Sequence, residues 1–79
     1  QATTLAYSLR AATHVRLTVV DAAGRRVRAL ADEDTPAGMH TAVWNGADDA
    51  GQAAPAGIYF AVLEGSGARS VSRLVKLAR

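Results

Sequence analysis

The sequence predicts an all-β fold, an immunoglobulin-like antiparallel β-sandwich of about seven short strands. Apolar residues recur with a period of two along several short segments. Residues that favour turns, namely Gly, Pro, Asn and Asp, separate these segments at about ten-residue spacing. No segment has the period of an amphipathic helix. A small barrel is the alternative topology, because the pattern does not define strand order.

The size and composition of the chain predict one globular domain, residues 1–79. A chain of 8.2 kDa buries about 60% of the surface that its unfolded form exposes. We therefore expect a two-layer fold without a deep enclosed active site. Apolar residues make up 49% of the sequence and charged residues 20%, which is typical of folded chains and not of disordered ones.

Charge and cysteine content argue against several kinds of site. The nine Lys and Arg residues are spread along the chain among seven acidic residues, so no clustered basic face for nucleic acid is expected. The chain has no cysteine, which excludes a disulfide framework and a thiolate metal site. Its apolar runs are a few residues long, far short of the roughly 20 that a membrane-spanning helix needs. We expect no nucleic-acid partner and no membrane insertion.

The N-terminal half contains three predicted strands. Residues 3–9 alternate with their apolar side chains on one face, and residues 15–20 do the same with β-branched residues. Residues 21–24 (DAAG) supply the turn chemistry of a tight hairpin, so residues 25–30 are expected to pair back on the second strand. Val27 and Leu30 are both expected to point inward. They differ in parity, which predicts a bulge or a strand end between them.

Residues 31–38 are predicted to form a solvated connection between the sheets. They contain three consecutive acidic residues followed by a proline and a glycine: Asp32, Glu33, Asp34, Pro36 and Gly38. A helix is the alternative for this segment, and the proline and glycine oppose it.

The C-terminal half contains three further strands. Residues 40–44 form a short strand that ends at Trp44, and residues 58–63 form the strongest strand of the chain. The latter has apolar side chains on both faces, so it should be central or covered on both sides. Residues 69–77 return as the closing strand. Arg73 interrupts its apolar face, which indicates an edge or a bulge.

Five residues are assigned to the core and the turns. Trp44 and Tyr59 are large side chains on predicted strands, and we expect them in the core rather than on a contact surface. Three glycines stand at turns or at a strand start. These assigned residues are Trp44, Gly57, Tyr59, Gly24 and Gly51.

We predict no catalytic residue and no cofactor. A nucleophilic serine needs a base beside it and an exposed turn such as G-x-S-x-G, which none of the four serines has. His14 is expected to be the polar start of a strand, and His40 to be a strand residue beside Trp44. The chain is therefore not expected to be an enzyme.

The loop around Asp48 and Asp49 has two possible interpretations. With Asn45 before them and Gly51 after, the aspartates resemble half of an oxygen-ligand calcium loop. The distal glutamate of the full calcium-loop pattern is absent. We favour the interpretation that these side chains accept hydrogen bonds from local backbone N–H groups, and no metal site is assigned.

Five short blocks, taken in order, resemble a known family. They are residues 15–30 (VRLTVVDAAGRRVRAL), 37–40 (AGMH), 43–46 (VWNG), 48–51 (DDAG) and 56–60 (AGIYF). Their order and spacing are similar to those of the FlgD-like Ig domain family, named after the flagellar hook-capping protein. That family overlaps with the C-terminal sorting domains of bacterial type IX secretion cargo. The resemblance covers residues 5–77, and Asn45 stands where the family usually has Asp.

The resemblance implies a function as well as a fold. Residues 73–77 (RLVKL) resemble the closing strand of the sorting domains, so the resemblance implies a non-catalytic C-terminal sorting domain of a larger exported bacterial protein. It would be a monomer, secreted or at the cell surface via the periplasm. Its partners would be the secretion machinery or upstream domains of the same polypeptide, recognised through Arg69, Arg73 and Lys76. A structural accessory module beside an extracellular enzyme, or a hook-cap-like assembly module, is the alternative.

Overall fold

The structure, a computed structural model, describes residues 2–77, and that part of the chain is all-β. Its strands are β1 (Thr3–Leu9), β2 (Thr13–Asp21), β3 (Arg26–Thr35), β4 (Gly38–Trp44), β5 (Gly57–Gly65) and β6 (Ala68–Lys76). β1 and β4 form a two-stranded sheet, the small sheet. The large sheet has the order β3-β2-β5-β6, and every strand pair is antiparallel. The predicted immunoglobulin-like sandwich is confirmed, with six strands instead of about seven.

The core lies between the two sheets and follows the predicted alternation. On β2, Val15, Leu17 and Val19 are buried, whereas Arg16 between them is exposed. Hydrophobic burial of this one face is what holds each sheet to the other. The core also takes side chains from β4, β5 and the loop before β5, with three more packed at its margin: Trp44, Tyr59, Ala61, Ala54, Val27, Leu30 and Leu74.

The third strand contains the irregularity that its sequence predicts. The register between β2 and β3 shifts twice, once between Leu17 and Thr18 and once between Val19 and Val20. The residues of β3 that fall at these shifts are Leu30 and Val27, which have no directly opposite partner. Because each is the extra residue of a bulge, both can pack against the core despite their different parity.

Residues 31–35 are a strand, so the predicted solvated connection over residues 31–38 is wrong. Asp32 and Asp34 pair with Arg16 and His14 of β2. Acidic residues that alternate on the wet face of an edge strand have the composition of a loop, which explains the error. The true connection to β4 is Pro36 and Ala37 alone.

The segment between β4 and β5 has no long strand but is anchored to β3. Asp49 accepts a hydrogen bond from the backbone N–H of Ala29 at 2.9 Å, and its own N–H donates to the carbonyl oxygen of Val27 at 2.8 Å. The loop therefore covers one end of the β3 edge. The last hairpin turns at Ser66 and Gly67, both with positive φ, as tight hairpins require.

Residues 2–77 contain no helix long and apolar enough to cross a bilayer. Ala78 and Arg79 lie outside the described residues. Leu77 follows the last residue of β6 and is exposed.

Candidate protein-interaction surface

The outer face of the large sheet carries a patch of exposed apolar side chains. Tyr59 of β5 is buried against the small sheet, so the alternation of the strand directs Ile58 and Phe60 to the opposite, outer face. Residues directly opposite each other in an antiparallel pair share a face. The register therefore adds Val75, opposite Ile58, and Val71, opposite the buried Val62.

We call this surface the outer patch; it consists of Ile58, Phe60, Val71, Arg73 and Val75. Ile58 is 43% exposed, Val71 52% and Val75 57%. Large side chains gathered in one place with this exposure are unusual on an isolated domain, whereas single exposed apolar residues are common. The outer patch is therefore the candidate site for contact with another protein.

Arg73 lies inside the outer patch. It is directly opposite Phe60 in the register and alternates with Val71 and Val75 along β6. Among residues 2–77 the arginines found in ion pairs are Arg16, Arg25 and Arg26, and Arg73 is not one of them. Arginine and aromatic residues are enriched in protein interfaces, where a guanidinium can donate several hydrogen bonds and also stack on a ring. This composition fits a protein partner better than a small ligand.

The structure separates the three residues predicted to recognise a partner. Arg69 and Arg73 lie on the outer face of β6, and Arg69 is opposite Glu64. Lys76 has the opposite parity, and it is half-buried beside the end of the small sheet. Only Arg73 belongs to the outer patch. A role in recognition stays a prediction for all three residues.

The sequence did not identify the outer patch as a site. Residues 58–63 showed apolar side chains on both faces, which predicted a strand that is central or covered on both sides. β5 is central, between β2 and β6, yet Ile58 on its outer face is not covered. One signal was available in the sequence. Val71 and Val75 alternate along residues 69–77, and pairing of the hairpin places them on the same face as Ile58.

The other end of the outer face is charged and centres on His14. The His14 ring bonds the carboxylate of Asp34 through Nδ1 at 2.8 Å and the carboxylate of Asp32 through Nε2. A ring that donates from both nitrogens is an imidazolium. These hydrogen bonds, first the one to Asp32, raise the pKa of His14 above its ordinary 6.5. The hydrogen bond from His14 lowers the pKa of Asp32 below its ordinary 3.8.

This cluster predicts a pH dependence of stability. The raised pKa of His14 gives a stabilisation that is complete below pH 6.5 and is lost as the pH rises through the folded-state pKa. The lowered pKa of Asp32 gives a second stabilisation, which is complete above pH 3.8 and is lost as the pH falls through the folded-state pKa of Asp32. Urea unfolding should thus show less stability at about pH 8.5 than at about pH 5.5.

The variant His14→Gln should lose most of that difference, because it removes the titrating ring. Glu33→Gln is the matched control. Glu33 stands between the two aspartates but opposite Val15, on the other face of β3. An alkaline loss of stability that persists in His14→Gln would contradict the assignment to this cluster.

Aspartates and an asparagine organise the loops at one end of the sandwich through backbone hydrogen bonds. Asp48 accepts from the N–H groups of Ala50 and Gln52 through Oδ1, and Asn45 accepts from the N–H of Ala47. These are the local bonds that the favoured interpretation of this loop predicts. Residues 2–77 contain no cluster of three or more His, Cys, Asp or Glu residues that could hold a metal ion.

The same end has an open depression of about 620 Å³ between the β2–β3 turn and the loop before β5. Asp21 lies at its rim, where its carboxylate accepts hydrogen bonds from the N–H groups of Ala23 and Arg25. The bond from the Arg25 backbone is the main cause that lowers the pKa of Asp21. The charged residues that line it already bond groups of the chain itself, so the depression lacks a convergent set of free polar groups; they are Asp21, Arg25, Arg26 and Asp48.

Both histidine rings bond a carboxylate or a backbone carbonyl oxygen. His40 bonds the carbonyl oxygen of Pro36 through Nε2 at 2.7 Å, and its ring lies 5.6 Å from that of Tyr7. His14 is held by carboxylates as described above. Neither ring has a hydrogen bond to a serine hydroxyl among the described residues.

Comparison with known proteins relates the chain to one family. The family model described as FlgD Ig-like domain matches residues 1–68. A crystal structure of FlgD from P. aeruginosa is similar, with a TM-score of 0.68 and 20% sequence identity, over 95% of this chain and 60% of that chain. This likeness shows the fold, and the chain spans 60% of the length of that structure. No curated protein has a significant match.

Proposed function

The chain belongs to the FlgD Ig-like domain family, and from that membership we propose that it is a non-catalytic module that binds a neighbouring domain or subunit through the outer patch. The observation that carries the proposal is the exposure of Ile58, Val71 and Val75 on one face of the large sheet. Covering these side chains removes apolar surface from water, which is the main favourable term in protein association.

The structural features of the outer patch suit this role. An apolar centre that contains an aromatic ring and an arginine, with charged residues at one end of the face, is the usual arrangement of a protein interface. The patch lies on paired strands, so the backbone that carries its side chains is ordered before binding. That pre-organisation lowers the entropy cost of association.

Two finer roles are consistent with such a module. In a hook-cap-like assembly the outer patch would face another subunit, and in an accessory module it would face the next domain of the same polypeptide. We favour these over sorting by a secretion system, because the family match covers residues 1–68 and ends before residues 73–77. Sorting stays a prediction and requires that loss of residues 69–79 abolish export. The resemblance of residues 73–77 to sorting domains supports both a sorting role and a location outside the cytoplasm.

Thiol labelling in the natural full-length protein tests the proposal. We expect a cysteine at position 71 (Val71→Cys) to react with a maleimide about tenfold more slowly than one at position 43 (Val43→Cys), each relative to its rate in denaturant. Val43 is a matched control for Val71, because Val71 is 52% exposed in the domain and Val43 is 56% exposed. Val43 lies on β4, outside the patch. Equal protection at both positions would overturn the proposal.

A further inference from the structure

The free edges of the two sheets are not equally protected. An unpaired strand edge is a template for another strand, and proteins usually blunt it with charge, a bulge or a cover. In the large sheet, β3 has two bulges, acidic residues and the loop anchored by Asp49. β6 carries three cations and no acid: Arg69, Arg73 and Lys76.

In the small sheet, only the β4 side is closed. Pro36 and Ala37 link β3 directly to β4, the two strands are in contact, and the His40 ring bonds Pro36. β1 has none of these devices. Its seven residues (TTLAYSL) contain no charge, no proline and no bulge, and they pair with β4 in one unbroken register.

The side of the sandwich between β1 and β6 is also open. Ser70 and Ser72 lie opposite Leu63 and Ala61, which places them on the inward face of β6, yet both are exposed. The small sheet is one strand too narrow to cover them. A cavity lies at each end of this gap, one of about 170 Å³ against Leu9 and one of about 130 Å³ against Thr3.

We propose that a strand of a partner protein adds to the free edge of β1 and covers the inward face of β6. Neighbouring strands lie about 4.8 Å apart, so the added strand would occupy the position that the small sheet lacks. It would satisfy the free backbone groups of β1. This mode is β-augmentation, in which backbone hydrogen bonds give affinity and alternate side chains give specificity.

Charge selects the occupant. Lys76 has the parity of the inward face of β6 and lines the cavity at one end of the gap. β1 itself is uncharged. The strand that fits is alternately apolar and carries a carboxylate at the Lys76 end. A second copy fits less well, because its β1 is uncharged and would place no carboxylate beside Lys76.

This inference takes one premise from the proposed function, namely that the domain is an interaction module. The β1 edge and the outer patch are on different surfaces, so each can fail alone. The labelling of Val71→Cys reports on the outer patch, whereas the titration below reports on β1.

The test is an NMR titration of the 79-residue chain with two synthetic peptides of alternating valine and threonine. One has glutamate at both ends and the other has lysine. We expect the β1 amides, those of Leu5 and Tyr7 among them, to shift. The glutamate peptide should bind about two- to fivefold more tightly at low salt, and Lys76→Glu should reverse that preference.

Two variants separate the gap from the rest of the surface. Ser72→Tyr fills the space that the added strand needs and should weaken binding at least tenfold. Thr41→Tyr is the control, an exposed residue on the outer face of the small sheet, and should bind as the unmodified chain does. Unshifted β1 amides at millimolar peptide, or equal losses in both variants, would overturn the proposal. So would β1 shifts that depend on protein concentration alone, since they indicate a second copy.

Discussion

Replacement of Trp44 by alanine is expected to lower the free energy of unfolding by about 3–5 kcal/mol. Trp44 is 3% exposed and is the single tryptophan of the chain. It lies on β4 of the small sheet and packs its ring edge-to-face on Tyr59 of the large sheet, with centroids 5.1 Å apart. Its indole N–H donates to the carbonyl oxygen of Ala47 at 2.8 Å. Alanine would leave a cavity between the sheets and an unpaired carbonyl.

A loss of this size is a large part of the total free energy of unfolding, which is only about 5–15 kcal/mol for a small domain. The measurement is urea unfolding followed by far-UV circular dichroism, since the variant lacks the tryptophan whose fluorescence would otherwise report unfolding. Met39→Ala is the control, on the same strand but 76% exposed, and should change stability by less than about 0.5 kcal/mol. Equal losses in the two variants would show that Trp44 does not join the sheets.

Replacement of Gly57 by alanine is expected to cost about 1–3 kcal/mol. Gly57 opens β5 with a φ of +153°, a value that residues with a side chain rarely adopt, and a Cβ there would meet no atom within 4 Å. The cost is therefore conformational and not a clash. Two residues later in the chain, Tyr59 donates a hydrogen bond to the carbonyl oxygen of Pro55, so the strand cannot relax freely.

Thermal unfolding can measure the effect of Gly57→Ala. The matched control is Ala56→Ser, which also adds one heavy atom, at an exposed neighbour without a positive φ. A midpoint lowered in both variants alike would point to crowding of the loop and against backbone strain. An unchanged midpoint for Gly57→Ala would contradict the conformation itself.

Strand positions were predictable where alternation alone decided them. β1 spans Thr3–Leu9, as its apolar period indicates, and β5 spans the apolar run that the sequence marks as strongest. The irregularity of β3 was also predictable, because Val27 and Leu30 cannot share a face without an extra residue. Local pattern is sufficient in these cases, since the period of a strand does not depend on its neighbours.

The acidic end of β3 was not predictable from its own residues. Asp32 and Asp34 favour turns when considered alone, and they become strand residues because His14 and Arg16 stand opposite them on β2. His14 is 18 residues from Asp32 and 20 from Asp34 in the sequence. Cross-strand pairing of this kind overrides propensity, and no local window contains it.

The sequence by itself determined the fold class, the order of the strands along the chain and, for β2, the side chains that face the core. The tertiary structure alone decided which faces and edges stay uncovered, namely the outer patch and the β1 edge. The physical reason is that alternation assigns a residue to a face, whereas exposure depends on whether another layer lies over that face. The small sheet has two strands and the large sheet four, and that inequality arises only when distant segments pair.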